Sequence, residues 1–249
     1  MKYIKALILS CFVLCLASSI TWAQESQRLN LVITYGVDLP GGDLADRFGL
    51  NYNPAVEIDY FINESWFFGV HGHFLLGPLV KEDVISNIRT SDGLLIGQQK
   101  NKSIITLKQR GFNIGLHAGK FINLSGKESR NKHGLRLRVG TGLLSHHIIF
   151  NDESVTLNQL LGDYGRGYDR LTRGIAIDEF IGYQYISGDG KINMFAGFSF
   201  VQGFTKNLRP VNFDTGLRDD SPRIDLMNGI RVGITFNLYE SSYGEDIYY

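Results

Sequence analysis

The sequence is short of cysteine, of net charge and of long apolar runs, and each shortage excludes something. Its 249 residues hold two cysteines, Cys11 and Cys15, both near the start. The exported part of such a chain therefore folds without disulfides. Lys and Arg number 25 against 25 Asp and Glu, a formal charge of +0. With no basic block, nucleic acid is not an expected partner. No stretch after Ala23 reaches the ~18 apolar residues of a helical membrane span. Helical periodicity is also scarce, confined to two segments between strands. Glycine is abundant instead, 29 residues, or about 12% against a usual ~7%. Apolar residues make up 43% and aromatic residues 12%, enough for a core or a membrane face and too much for a disordered chain.

The first 23 residues read as a secretory signal peptide. Lys2 and Lys5 give the positive start, Ala6 to Ile20 the apolar stretch, and Ala23 a small residue for cleavage before Gln24. The stretch is shorter than the ~20 residues a spanning helix needs. Lipidation is not expected, because Leu14 stands where a small residue should precede Cys15, and Cys11 follows too short an apolar run. Without Lys2 and Lys5, 23 basic residues face 25 acidic ones, a net charge of −2.

Beyond the leader, apolar and polar residues alternate, the mark of strands with two different faces. Near the end, Ile230, Val232, Ile234, Phe236 and Leu238 share one face, and Arg231, Gly233, Thr235, Asn237 and Tyr239 the other. Near the start, Leu29, Leu31, Ile33, Tyr35 and Val37 oppose Arg28, Asn30, Thr34, Gly36 and Asp38, with Val32 the exception. Similar segments lie at about Ala55–Ile62, Trp66–Leu76, Ile104–Phe121, Leu135–Phe150, Leu171–Ile186 and Ile192–Phe204. The seventh segment in chain order is clean; the sixth places Glu179 on the apolar face with Ile175, Ile177, Ile181 and Tyr183. The count is eight strands.

The connections alternate in length. Asn63-Glu64-Ser65 and Ser187-Gly188-Asp189-Gly190 are tight polar turns, and Asn123 to Gly134 is longer. Between them lie Pro40–Asn51, Gly77–Ser103, Asn151–Arg170 and Thr205–Pro222. Short turns at one end and long loops at the other is the outer-membrane arrangement, and an even strand count brings both termini to the periplasmic side. The expectation is an all-β chain: an eight-stranded antiparallel up-and-down transmembrane β-barrel over 24–239, preceded by a cleaved signal peptide and followed by an acidic periplasmic tail, 240–249. A soluble barrel with apolar faces inward is the alternative. Trp66, Tyr183, Tyr185 and Tyr239 near strand ends match an interfacial aromatic girdle and favour outer-membrane lipid as the surroundings.

Eight strands leave an interior that side chains fill. The expected lumen carries Glu57, Asp59, His71, His73, His117, Arg136, Arg138, Asp178 and Arg231, with glycines making room for them. Opposite charges there should pair, since an unpaired buried charge is costly. The reading taken is a structural plug. Two sharper ones compete with it: a metal site of His71, His73 and His117, for which His-x-His plus one cross-strand histidine is a weak pattern, and a histidine network titrating near neutrality. At the loop end, Ser145, His146, His147, Asp152 and Glu153 offer the residue types of a lipid-modifying enzyme, but no motif fixes an oxyanion site. The expectation is no enzyme, no cofactor and no metal. In the long loops, Val80, Val84 and Ile88 recur at four-residue spacing, and Val155, Leu160 and Leu161 follow a helix cap at Asp152 or Ser154. These two apolar sets either pack on the rim or form a docking surface for another envelope protein.

The closing strand Gly229–Phe236, the run Gly197–Thr205 and the segment Gly167-Tyr168-Asp169-Arg170-Leu171-Thr172 resemble the small eight-stranded outer-membrane barrels, in particular the barrel-domain proteins common in Bacteroidota. The resemblance covers Leu29 to Tyr239. It implies structural, adhesive or accessory roles in the outer membrane of a Gram-negative bacterium, including subunits of larger secretion or assembly complexes. The expected partner is a larger envelope barrel or a surface lipoprotein. The competing roles are a small-solute or ion conduit and a lipid-modifying enzyme. Such barrels often end on an aromatic residue; here Tyr239 would serve, followed by ten more residues.

Overall fold

The computed structural model describes residues 27–97, 102–103, 105–126, 129–152, 157, 160 and 162–240. The expected leader 1–23 and the tail beyond Glu240 lie outside the described residues. Eight strands carry the fold: β1 Arg28–Gly42, β2 Asn51–Phe61, β3 Trp66–Gly77, β4 Ile105–Asn123, β5 Lys132–Asp152, β6 Thr172–Ile186, β7 Asn193–Asn207 and β8 Pro222–Glu240. Each pairs antiparallel with its neighbours in chain order, and β1 pairs with β8 to close the ring. Two short helices, α1 Asp43–Arg47 and α2 Gly162–Arg166, and a small hairpin pairing Leu95–Ile96 with Lys102–Ser103 belong to the loops. Among the described residues, no helix is long and apolar enough to cross a membrane.

The alternation sets the polarity of the wall. On β1, Asn30, Val32, Thr34 and Asp38 are buried while Ile33, Tyr35, Val37 and Leu39 are exposed. On β2, Asn53, Glu57 and Asp59 point in, and Tyr52, Val56, Ile58 and Tyr60 point out. The same inversion runs round the ring, with Ile114, Leu116, Phe198, Ile230, Ile234 and Phe236 all exposed. A soluble barrel would bury those side chains; an outward apolar band over a polar interior belongs in lipid.

A hydrogen-bonded row starting at Arg28 passes through Phe61, Phe67, Gly119, Arg138, Phe180, Ser199 and Gly229 and returns to β1 at Asp38, ten residues along. A ring with that stagger tilts its strands by about 40°. Two inward glycines show how tightly it closes. A Cβ on Gly140 would sit 2.5 Å from Asp178 Oδ2, and one on Gly119 2.1 Å from the Phe67 ring.

The three short connections sit together at one end with Arg28 and Glu240. Their polar residues make the turns directly. Asn63 Oδ1 accepts from the backbone N–H groups of Ser65 and Trp66 at 2.9 and 2.7 Å. Asn123 Oδ1 does the same for Ser125 at 2.9 Å, and Ser187 Oγ donates to Asp189 Oδ1 at 2.5 Å. Gly190, at φ 70°, supplies the left-handed position of the last turn.

Several strands run further than their alternation suggests, β2 and β8 among them. β2 begins at Asn51 rather than Ala55, because Asn51 and Asn53 continue the inward face and Pro54 falls on the outward one. β8 begins at Pro222, seven residues before Gly229, bringing Asp225 into the lumen. The expected loop Pro40–Asn51 holds α1 instead, and the helix expected before Leu161 falls largely outside the described residues, with α2 following it.

Candidate functional site: the filled lumen and its cap

The floor of the barrel, at the short-turn end, is aromatic. Phe61, Phe67 and Phe121 cluster with Ile186 against them, and Val32, Phe180 and Phe195 form a second, separate cluster. Val32, the residue that breaks the β1 alternation, is thus an inward apolar contact of this floor. The Arg136 guanidinium stacks between two of these rings, 4.3 Å from the Phe67 centroid and 4.8 Å from that of Phe195.

Above the floor lies the charged layer. All nine residues Glu57, Asp59, His71, His73, His117, Arg136, Arg138, Asp178 and Arg231 face inward and are buried. Arg138 bridges two strands, its Nη1 donating to Glu57 Oε1 at 2.6 Å and its Nη2 to Asp178 Oδ1 at 2.7 Å. Arg136 donates to Asp59 Oδ2 at 2.5 Å and to Gln184 Oε1 at 3.3 Å. His117 Nε2 lies 2.8 Å from Asp59 Oδ1, and His73 Nε2 3.1 Å from Glu57 Oε1. His71 and His117 meet Nδ1 to Nδ1 at 3.3 Å with their rings stacked, so one of the two must donate and the other accept. Arg231 reaches Asn53 Oδ1 at 3.3 Å, and Ser199 Oγ donates to Asp38 Oδ1 at 3.2 Å.

The three histidines do not converge on one point, since His73 turns to Glu57 and His117 to Asp59. The group whose ligand atoms do lie close, within 4.8 Å, is Glu57, Asp59 and His117. Both carboxylates of that group are already held by guanidinium groups. A cation would have to displace Arg136 and Arg138, whose charges already occupy its place.

Near the loop end a second polar cluster sits under the cap. Arg47, from α1, reaches down to Asp225 Oδ1 at 3.0 Å and Thr172 Oγ1 at 3.3 Å. Asp225 Oδ2 also accepts from Thr205 Oγ1 at 2.6 Å and meets His146 Nε2 at 2.9 Å. Sequence reasoning did not single out Arg47 or Asp225. Asp225 shares the inward parity of Arg231 and was findable by carrying that alternation further back. Arg47 lies in a loop and gives no periodic signal.

Ser145 and His146 sit on opposite sides of the wall. Ser145 Oγ accepts from Arg173 Nε at 3.4 Å, whereas His146 points into the lumen toward Asp225. Among the described residues no histidine bonds Ser145; Glu153 and the Asp152 side chain lie outside the described residues.

The cap itself is an apolar core. Leu44, Phe48, Leu75, Val84, Ile85, Leu95, Leu144, Ile148, Leu157, Leu160, Tyr168 and Met227 are buried in one cluster, with Val80 and Ile88 packed against it. Of the loop residues expected to pack on the rim or to form a docking surface, Val84 and Leu160 are buried in this cluster, and Val80 and Ile88 pack half-buried against it. Val155 and Leu161 lie outside the described residues. Four loops are stitched together above. Gly49 N donates to Leu79 O at 3.0 Å, Lys81 N to Arg47 O at 2.8 Å, and Phe213 N to Gly167 O at 2.9 Å. Arg170, at φ 51°, donates to Glu82 at 2.9 Å and to Asp214 at 2.5 Å, joining three loops. Burial works against its charge, but Asp214 and Glu82 outweigh that and hold the guanidinium above its ordinary pKa. Next to it, Asp169 is held by Arg209, whose Nε donates at 2.8 Å. The segment Gly167–Thr172 is therefore the hub of the cap.

Inside-out polarity, a closed ring and a filled lumen define the class: an eight-stranded transmembrane β-barrel of the outer-membrane type. No family model matches the chain, and no curated protein does. Similar solved structures include Neisserial surface protein A, 11% identical over 85% of this chain and 98% of that chain, TM-score 0.43. The N-terminal β-barrel domain of Pseudomonas aeruginosa OprF is 14% identical over 85% and 100%, TM-score 0.37. Ail, the attachment invasion locus protein of Yersinia pestis, is 11% identical over 86% and 100%, TM-score 0.37. The class rests on the polarity and closure of this barrel itself.

Proposed function

We propose that this protein is a closed, non-catalytic barrel of the outer membrane that serves as a rigid, partner-binding accessory to an envelope complex. The observation that supports this is a lumen blocked at three levels: an aromatic floor, a layer of paired charges and an apolar cap tied across four loops. Conduction would require opening salt bridges between groups that are buried on every side. The cap is also a suitable platform, because its fixed loops still expose Leu79, Tyr164, Phe213 and Leu217 to the outside. A larger barrel or a surface lipoprotein would meet those residues, while the short-turn end with both chain ends faces the periplasm. Single-channel recording on the purified protein in planar bilayers tests the closed lumen. The expected result is a silent membrane, and steady unitary conductance would overturn the proposal in favour of a conduit. Native pull-down in mild detergent tests the accessory role, with stoichiometric recovery of a second envelope protein expected.

A further inference from the structure

Basic side chains line one arc of the rim at the loop end. Lys108 and Arg110 on β4, His147 on β5, Arg173 on β6 and Lys206 on β7 share the outward faces of Ile114, Leu143, Ile175 and Phe204. Direct pairing gains ten residues in one circuit of eight strands, so each cross-strand step climbs about 3 Å toward the loops. On that slope the five residues fall within about 5 Å of one level. Arg110 stands ten residues from Lys120, whose Nζ lies 4.9 Å from the Trp66 ring centroid at the turn end, and Arg173 stands ten from Tyr183. Ten residues tilted by about 40° rise ~25 Å, the height of an apolar band. The row therefore meets the membrane at headgroup level. Toward the loops, the other strands finish their outward faces uncharged, with Gly41 on β1, Tyr52 on β2, Leu76 on β3 and Ile224 with Pro222 on β8.

Within the arc, Arg173 lies directly across from Lys206, and Arg110 directly across from His147. Like charges placed as in the first pair repel, which costs stability unless an anion sits between them. The described residues supply no such anion. Among them, none of Lys108, Arg110, Arg173 and Lys206 has a carboxylate partner. Arg110 donates to the Gln109 carbonyl at 2.8 Å, and Arg173 Nε to Ser145 Oγ on β5 at 3.4 Å. The second bond draws the Arg173 side chain toward the Arg110 and His147 pair. Of the acids near this arc, Asp169 is bound on both oxygens by Arg209. Glu179 lies six residues further down β6, about 15 Å below the row.

We propose that the β4–β7 rim binds the phosphate of a lipid headgroup in the leaflet at the loop end. Guanidinium groups match phosphate oxygens in pairs, and an ammonium adds a compact charge beside them. A phosphate held between Arg110 and Arg173, with Lys206 and Lys108 flanking it, removes the repulsion across β6 and β7. The acyl chains of the same lipid then run down the wall over Phe112, Ile114, Leu143, Ile175 and Phe204, which face outward below the row. The uncharged arc on β8 and β1–β3 offers a headgroup no such contact, so the site is one-sided. This inference concerns the lipid around the wall and is independent of what the cap binds.

Native mass spectrometry of the barrel released from phosphatidylcholine nanodiscs doped with phosphatidic acid tests it. The expected result is retention of phosphatidic acid in preference to phosphatidylcholine, weakening as salt is raised. Combining Arg110→Gln, Arg173→Gln and Lys206→Gln should lower that retention about tenfold, while Lys120→Gln at the turn end leaves it as it is. Millimolar inorganic phosphate should not displace the lipid. Heat-modifiable gel migration confirms that each variant is a closed barrel; if the triple variant does not insert, Lys206→Gln against Lys120→Gln decides alone. No preference for phosphatidic acid, undiminished retention in the inserted triple variant, or an equal loss from Lys120→Gln would each overturn the proposal. Full displacement by inorganic phosphate would overturn it too, in favour of a site for the free anion.

Discussion

The charged layer and the cap both close the lumen, but by opposite means. In the charged layer, strands place carboxylates, imidazoles and guanidinium groups at fixed heights, and specificity comes from pairing. In the cap, irregular loops bury leucine, isoleucine, valine and phenylalanine, and closure comes from exclusion of water. The layer depends on each member being present, since removing one partner leaves another buried and unpaired. The cap distributes its stability over many apolar contacts, so the loss of one loosens the loops without stranding a charge.

That contrast can be broken by mutation. Arg138→Leu leaves Glu57 and Asp178 short of a partner at once, and should cost ~3–5 kcal/mol. The expected readout is a lower urea midpoint for the whole barrel, seen by tryptophan fluorescence and by heat-modifiable migration together. Leu44→Ala in the cap should cost ~2–5 kcal/mol locally, the range for a buried leucine, and appear as protease cleavage of the loops while the strands stay protected. Arg170→Ala should loosen the same loops by a smaller amount, ~1–3 kcal/mol for the hydrogen bonds it abandons, with the barrel transition unmoved. If the cap variants shift the barrel midpoint as far as Arg138→Leu does, cap and wall form one cooperative unit and the contrast fails. The smallest effect is expected from zinc. With Glu57 and Asp59 held by guanidinium groups, millimolar zinc should leave the melting temperature of the wild-type protein where it is, and a rise of several degrees would mean that the ion displaces Arg136 or Arg138.

How far the sequence could be read follows from the same division. Strand residues repeat every second position, so Glu57 and Asp59, or Arg136 and Arg138, declare a shared face without any structure. Val32 and Glu179 declare themselves too, as exceptions, one joining the apolar floor and the other lying mid-wall against lipid. What alternation could not supply is partner choice across the lumen. That Arg138 serves both Glu57 and Asp178 depends on the stagger of the ring, which is set by all eight registers together. The cap was least legible. Val84 and Ile88 show helical spacing, yet the chain there makes only a single 3₁₀ turn, Ser86–Ile88, because burial against α1 and β5 rather than helix propensity decides its course. Arg170 held no periodic clue, and its role rests on carboxylates 88 and 44 residues away in the chain.

The pairing of the first strand with the last has a consequence for biogenesis. Until Pro222–Glu240 has been delivered, Arg28–Gly42 offers a bare row of backbone donors and acceptors along one side, and Arg47 has no Asp225 to reach. Contacts of such sequence separation form late and slowly. A chain cut short before Pro222 thus carries a frayed margin and a stranded guanidinium, two features that an envelope protease can recognise and a finished ring does not display.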